Sequence, residues 1–338
     1  MMVIHHYALN SNRTACINLL ILLIMRYDII EGQWDSFIND DNEYDLIYLD
    51  PPFFTQRKHK MEKENGEVSF DDFWVNLEEY NLWLNNVVSV CWSKLSPQGV
   101  LYSHNNFEMN SYLLAGLSEN IRSKFMTNIS WQRSHPHNNI KKSWGNIVDS
   151  ILVFAKTKNN YFNVQYTSLD EKYRENSFNN QDENGFYSLA PITGEKSRLG
   201  YMFEFNGMSP KYGWRKNREE IERMHNDGLI HYGKNKPYKK TYLEKSKGAP
   251  IQNIWTDIFP ITRTEENKRE YPTQKPIKLL ERIIISSCPK GGKVLDPFGG
   301  SGTTLFASIK TKIPEYVKII DKNPDSISII NEGVKISQ

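Results

Sequence analysis

The stretch that most limits the fold is Val294-Leu295-Asp296-Pro297-Phe298-Gly299-Gly300-Ser301-Gly302-Thr303-Thr304, an apolar strand running into a glycine-rich turn and then a helix. Glycines let a backbone approach a ligand closely, and the helix N-terminus behind them offers free N–H groups and the positive end of a dipole. A nucleoside-triphosphate loop would close on Gly-Lys-Ser/Thr, whereas Gly302 is followed directly by Thr303. A dinucleotide fingerprint needs a different glycine spacing. Asp321, ending the next predicted strand, stands where an α/β nucleoside site places an acid for ribose hydroxyls. The pattern points to an adenosine-bearing ligand other than a triphosphate.

The rest of the chain supplies a matching scaffold. Tyr27–Glu31, Asp45–Leu49, Gly99–Ser103, Phe125–Trp131 and Val148–Ala155 read as strands, most of them continuous apolar runs of the kind buried on both faces. Phe73, Leu77, Tyr80, Leu84, Val87, Val88 and Cys91 recur at three- and four-residue spacing, which predicts a helix over about Phe73–Leu95 closed by Pro97. Towards the C-terminus the alternation resumes, with helices at Lys278–Ser286, Thr303–Lys310 and Pro324–Val334 and strands at Lys293–Leu295 and Val317–Ile320. This predicts an α/β fold with a doubly wound, mostly parallel Rossmann-like sheet, interrupted by a polar insertion, with ligands beyond the carboxyl ends of the strands.

A second motif lies at such a strand end. In Leu49-Asp50-Pro51-Pro52-Phe53 the two prolines remove two backbone donors and hold the chain extended. A base amino group needs a carboxylate and a carbonyl for its two N–H protons and an aromatic ring for its face, all of which this turn can offer. Taken alone, an Asp-Pro-Pro turn is more often structural. Its combination with the glycine-rich loop is what favours chemistry.

Charge and cysteine content narrow the setting. Residues 131–250 hold 20 Lys or Arg against 13 Asp or Glu, a surplus of seven in a chain whose net charge is +2. Trp131, Trp144, Trp214 and many Tyr and Phe are interspersed there, a mixture suited to phosphate contact and base stacking, or to a solvated basic surface over a small aromatic core. Cys16, Cys91 and Cys288 are widely spaced, so neither a disulfide framework nor a zinc site is expected, and a cytoplasmic setting fits. His135 and His137 lack a third ligand nearby, and no metal is expected. The apolar run Ile17–Met25 is far short of the roughly 20 residues of a membrane span. Met25 is expected to be the true start, with residues 1–24 an upstream extension.

Three ordered motifs carry a resemblance: Asp50–Phe53, then Tyr271-Pro272-Thr273-Gln274-Lys275-Pro276 leading into Leu279–Ile284, then Asp296–Thr304. With about 220 residues between the first two, the chain resembles the β-class amino-methyltransferases of DNA, in which the catalytic motif precedes the cofactor loop in a circularly permuted order. The shorter stretches Gly99–His104, Trp131–Arg133 and Gln252–Ile258 also look like pieces of the site-specific adenine enzymes. The resemblance implies S-adenosyl-L-methionine as cofactor and duplex DNA as substrate. It implies a catalytic half at residues 25–156, a target-recognition insertion at 157–250 and a cofactor-binding half at 251–338. Asp296, Phe298, Gly299, Gly300, Ser301 and Gly302 would line the cofactor, Asp321 would hold its ribose, and Thr273 and Lys275 its carboxylate. Asp50 and the carbonyl of Pro51 would accept the amino protons of a flipped base, with Pro52 stiffening the turn and Phe53 stacking. Arg57 and Lys58, in a loop Phe54–Phe70 that either closes over DNA or is simply mobile, and Lys141 and Lys142 are expected to meet DNA. A homodimer and a cognate restriction endonuclease are partners left open.

The chain departs from the family at three places. Gln33 and Trp34 follow Glu31-Gly32 where relatives often have an acid, Phe53 stands where Tyr is common, and Ile320 precedes Asp321 in place of a small residue. Asp50 favours adenine N6, since relatives acting on cytosine N4 more often carry Ser. Cytosine-C5 chemistry needs a cysteine beside the catalytic turn, and none is there. A non-catalytic DNA-binding protein on the same scaffold, or an enzyme acting on RNA, are the rivals from outside this chemistry.

Overall fold

The computed structural model describes residues 25–63, 66–136, 138, 140–234, 236–261 and 271–337. Residues 1–24, with Cys16 and the apolar run before Met25, and His137 lie outside the described residues. The chain divides into two compact units, one comprising residues up to Gln165 and from Gln252 onward, the other Tyr166–Ile251.

Among the described residues the larger unit carries ten strands and five principal helices. In chain order these are β1 (Arg26–Glu31), β2 (Tyr44–Leu49), β3 (Arg57–Lys63), β4 (Gly66–Asp72), α1 (Leu77–Ser93), β5 (Leu95–Asn105), α2 (Phe107–Gly116), β6 (Phe125–Gln132), β7 (Val148–Ala155), β8 (Ile254–Trp255), α3 (Ile277–Ser287), β9 (Lys293–Asp296), α4 (Thr303–Thr311), β10 (Tyr316–Asp321) and α5 (Pro324–Ser337). Eight strands form one sheet in the order β1-β10-β9-β2-β5-β7-β6-β8, while β3 and β4 make a separate hairpin. The sheet is parallel from β1 through β5, antiparallel at β5–β7 and β7–β6, and parallel again at β6–β8.

Burial on both faces explains the unbroken apolar runs. Alternate side chains of a strand point to opposite faces, and Ile47, Leu49, Leu101, Leu295 and Ile320 join one core with Tyr80, Leu84, Val87, Val88 and Cys91 of α1 and Met109 and Leu113 of α2. Leu46, Tyr48 and Val294 are equally buried on the other face. There Tyr102 shares a hydrogen bond of 2.7 Å with Ser287 at the end of α3.

The helix predicted from Phe73 begins at Leu77. Asn76 is extended and its side chain accepts from the N–H of Glu79, so it caps the helix and leaves Phe73 outside it, 61% exposed. The far end stops at Lys94, and Pro97 lies inside β5 rather than closing the helix. The stretch read as a loop, Phe54–Phe70, is mostly the β3–β4 hairpin, paired from Arg57 opposite Asp72 to Lys63 opposite Gly66.

The strand order places the binding edge. From β2 the chain winds to β5 on one side, while from β9 it winds to β10 on the other. The winding reverses between β2 and β9, and a crevice outside the carboxyl ends of the strands is expected at such a reversal. Asp50, Asp296 and Asp321 follow or end β2, β9 and β10 there.

The smaller unit carries a four-stranded antiparallel sheet in the order Ile230–Tyr232, Pro237–Tyr242, Gly185–Pro191, Asn180–Asp182, with helices Glu171–Ser177 and Arg218–Asn226. Its core gathers Ile192, Ile221, Met224 and Ile230 around Trp214, which is fully buried, stacks on Phe203 and donates its Nε1–H to the Phe203 carbonyl at 2.9 Å. Residues 157–165, assigned from sequence to the insertion, belong to the larger unit. Asn163 donates its N–H to Ser286 and Gln165 its amide to the Arg282 carbonyl, both on α3.

Candidate active site

A cleft of about 330 Å³ opens at the strand reversal of the larger unit, lined by the Asp50–Phe53 turn, the Pro297–Ser301 loop, Tyr271, Thr273, Lys275 and Asp321. The glycine-rich loop is pinned from below by Asp296, which accepts from the N–H of Phe298 at 3.0 Å and from the hydroxyl of Thr304 at 2.5 Å. Burial drives its carboxyl up to about 7 against those two bonds, while the nearby charges of Asp50 and Asp321 add to the rise. Its oxygens hold the loop in place, and Asp296 is itself among the residues that line the cleft.

Gly300 and Gly302 have φ of +52° and +76°, conformations that favour glycine. A Cβ on Gly302 would sit 2.7 Å from Ile330 of α5, and one on Gly299 2.3 Å from Ile319. The loop therefore lies flat against β10 and α5 with its backbone turned to the cleft. Asp321 crosses to it, accepting from the N–H of Gly300 at 2.7 Å and from that of Asn323 at 2.8 Å. Burial raises its carboxyl despite these bonds.

Opposite stands the proline turn. Tyr80 of α1 donates to the Pro52 carbonyl at 2.7 Å, and Asn106 donates to that of Phe53 at 3.1 Å. Among the described residues none donates to the carbonyl of Pro51. Lys275 Nζ meets both carboxylate oxygens of Asp50, at 2.8 and 2.6 Å, and lies 5.2 Å from the centre of the Phe53 ring. Sequence placed Lys275 on the cofactor and Asp50 on the base; the structure joins them.

Three further arrangements were not foreseen from sequence, although Tyr271, His59 and His104 lie in stretches already named. Trp74 and Trp83, whose rings lie 4.7 Å apart, form an aromatic wall with Phe298, 5.8 Å from Trp83. The hairpin leans on the cleft through a stack of His59, Phe70 and Tyr271, with Asn323 donating to the Ser69 carbonyl. Behind Asp50 lies His104, wholly buried, bonded to Tyr48 and Asp149. Aromatics scattered along a sequence and a lone histidine look like core, and their convergence on the cleft is set only by the fold.

Of the residues expected to meet DNA, Arg57 and Lys58 are exposed at the root of the hairpin beside the cleft, and Lys141 and Lys142 are exposed on the β6–β7 connection. Cys91 and Cys288 are buried and burial pushes both thiols up, Cys288 to about 12, so neither is a nucleophile. Among the described residues no group of three or more metal-ligating side chains converges, and no helix is long and apolar enough to cross a membrane.

Fold and cleft together define an α/β protein with a glycine-lined cleft beside a rigid acidic turn. A family model described as a DNA methylase, that of the N6/N4 methyltransferases, matches residues 44–332, and the chain belongs to that family. The chain is 28% identical over 268 residues to the type II methyltransferase M.EcaI of Enterobacter cloacae, covering 78% of this chain and 59% of that one. It is 27% identical over 305 residues to the Mod subunit of the type III restriction-modification enzyme StyLTI of Salmonella typhimurium, covering 78% and 46%. The chain thus spans about half the length of these relatives. Among solved structures, the PvuII DNA methyltransferase (cytosine-N4-specific) aligns with a TM-score of 0.47 at 15% identity, over 90% of this chain and 85% of that one.

Proposed function

We propose that this chain transfers the methyl group of S-adenosyl-L-methionine to the exocyclic N6 of adenine in a specific duplex DNA sequence. The observation that carries the reading is that Asp50 and the glycine-rich loop, far apart in sequence, line one cleft. The residues suit the cofactor: a flat backbone cradle at Gly300 and Gly302 without side chains, an acid at Asp321 for ribose hydroxyls, a lysine and a hydroxyl at Lys275 and Thr273 for a carboxylate, and an aromatic wall for a base. When bound, S-adenosyl-L-methionine supplies an electrophilic methyl on a sulfonium.

The chain's own residues prepare the acceptor. An amino nitrogen conjugated to the base ring is a weak nucleophile, so a site helps most by favouring the pyramidal, partly positive nitrogen of the transition state. Asp50 and the Pro51 carbonyl accept its two N–H groups, and Phe53 covers the base. The base leaves the duplex to reach them, at a cost of a few kcal/mol offset by stacking and hydrogen bonding. The smaller unit, with its basic strands and own core, would read the DNA sequence, with Arg57, Lys58, Lys141 and Lys142 on phosphates.

The reading is tested by incubating the protein with unmethylated duplex DNA and S-adenosyl-L-methionine, then digesting to nucleosides for mass spectrometry, with Asp50→Ala in parallel. N6-methyladenine from the wild type alone supports it. N4-methylcytosine would reassign the base and keep the chemistry, and methylated RNA in place of DNA would overturn the substrate.

A further inference from the structure

His104 lies in the buried stretch Val100–Asn105 of β5, next to β2, and its side chain is inaccessible to solvent. A buried imidazole is tolerated when both nitrogens are bonded. Here the Tyr48 hydroxyl lies 2.7 Å from Nδ1, and Asp149 Oδ2 lies 3.1 Å from Nε2. Asp149 is in turn bound by Arg133, whose Nε is 2.7 Å from Oδ1 and whose side chain reaches the surface.

The two bonds assign the ring. Burial pushes the Asp149 carboxyl up, but the hydrogen bond from His104 and the ion pair with Arg133 hold it below the usual carboxylate range. An ionised carboxylate only accepts, so Nε2 carries the hydrogen. In the neutral ring Nδ1 is then the lone-pair end, accepting from Tyr48. That end faces the catalytic turn: Nδ1 is 4.0 Å from Asp50 Oδ1, and the ring packs 5.7 Å from that of Phe53.

Resting on the reading of Asp50 given above, we propose that His104 is a positioning residue that takes over, from Asp50, the proton released by the methylated amino group. As nitrogen gains the methyl, one N–H bond must break; its electrons stay on nitrogen and the proton moves to Asp50 Oδ1. From there it passes to His104 Nδ1 as the 4.0 Å gap narrows to hydrogen-bond length, the Tyr48 hydroxyl turning from donor to acceptor. The imidazolium is flanked by Asp149 and by the regenerated Asp50 carboxylate, and returns its proton to solvent through Asp50 when the product leaves. The charged and titratable groups facing this ring are Tyr48 from β2, Asp50 after it, Asp149 from β7 with Arg133 behind, and Lys275 across Asp50. Lys275 is a cation without a lone pair, and burial disfavours ionisation of the Tyr48 phenol, so neither competes as acceptor.

The bland alternative is that His104 only ties β2, β5 and β7 together. His104→Gln and Asp149→Asn separate the two. On the proposal, His104→Gln keeps circular dichroism and cofactor affinity and loses on the order of 10-fold to 10²-fold in kcat, more than in the single-turnover methylation rate. Asp149→Asn keeps the ring and moves the acidic limb of the kcat profile to lower pH, because the imidazolium loses its counter-charge. Imidazole 15N NMR of the unliganded protein should show the Nε2–H tautomer. A wild-type kcat and pH profile in His104→Gln, or an unshifted limb in Asp149→Asn, overturns the proposal; if His104→Gln does not fold, the Asp149→Asn profile and the tautomer decide. Failure of the underlying reading looks different: the wild type then methylates no base, or Asp50→Ala stays active.

Discussion

Lys275 Nζ sits between the two carboxylate oxygens of Asp50, across 225 positions of sequence, so the acid proposed to meet the base is paired with a cation. Both side chains are largely shielded, which makes the pair matter more than a surface ion pair. Turning Lys275 to a cofactor carboxylate would release Asp50 for the amino group. Lys275→Met is therefore expected to weaken cofactor binding by about tenfold, worth about 1.4 kcal/mol, and to lower methylation further than that. Titration calorimetry alongside a methylation assay checks both, and undiminished cofactor affinity would contradict the assignment.

Asp50→Asn keeps the shape of the turn and removes the charge proposed to stabilise the reacting nitrogen. The expected loss in methylation rate is on the order of 10² to 10³, with cofactor affinity changed far less. A loss confined to KM would instead mean that Asp50 serves only binding.

Gly300 and Gly302 separate cradle from packing. Gly302→Ala combines a strained φ with a Cβ 2.7 Å from Ile330, and should destabilise the fold by about 1–3 kcal/mol. Gly300→Ala carries a strained φ as well, but its new Cβ meets the edge of Tyr271 at 3.3 Å and the Phe298 carbonyl at 3.8 Å, a looser fit than at Gly302. Thermal melts should rank Gly302→Ala as the less stable of the two, and Gly300→Ala should lose cofactor affinity while melting closer to wild type.

Asp296 gives a pH dependence of definite sign. Its folded value of about 7 lies above the ordinary 3.8, so between those values the native state holds a proton that the unfolded chain releases. Its contribution to stability therefore falls as pH rises from about 4 to about 7, by up to about 1.4 kcal/mol per pH unit, and is level above that. Denaturant melts across that window should show the slope in the wild type and lack it in Asp296→Asn.

Trp214 tests the role given to the smaller unit. Trp214→Ala removes the centre of that unit's core, a loss of about 3–5 kcal/mol. Binding of duplex DNA should fall while cofactor affinity is retained. Sequence-specific DNA binding that survives would place target recognition elsewhere.

Much of the scaffold could be read in advance because β2, β7, β9 and β10 are apolar enough to be covered on both faces, and because Asp50 and the glycine loop carry their chemistry in adjacent residues. What could not be read was set by contacts distant in sequence. Asn76 beat the apolar periodicity at the start of α1, since a side-chain cap ends a helix whatever lies upstream. The hairpin of β3 and β4 has a charged sequence, Arg57-Lys58-His59-Lys60, that resembles a loop until its partner strand is known. His104 and Asp149 lie 45 positions apart and become a pair only through the antiparallel β5–β7 contact. The spacing between Lys275 and Asp50 likewise said nothing of their union.

The strand order also bears on how the protein comes into being. β9 and β10, though made after β2, fill the places between β1 and β2, so a growing chain on the ribosome holds an open slot in its sheet until they emerge. Until then the acid at Asp50 has neither its lysine nor a floor beside it. The segment between residues 165 and 252 forms its own compact unit, so the strands that border the slot and those that close it come from chain on either side of it.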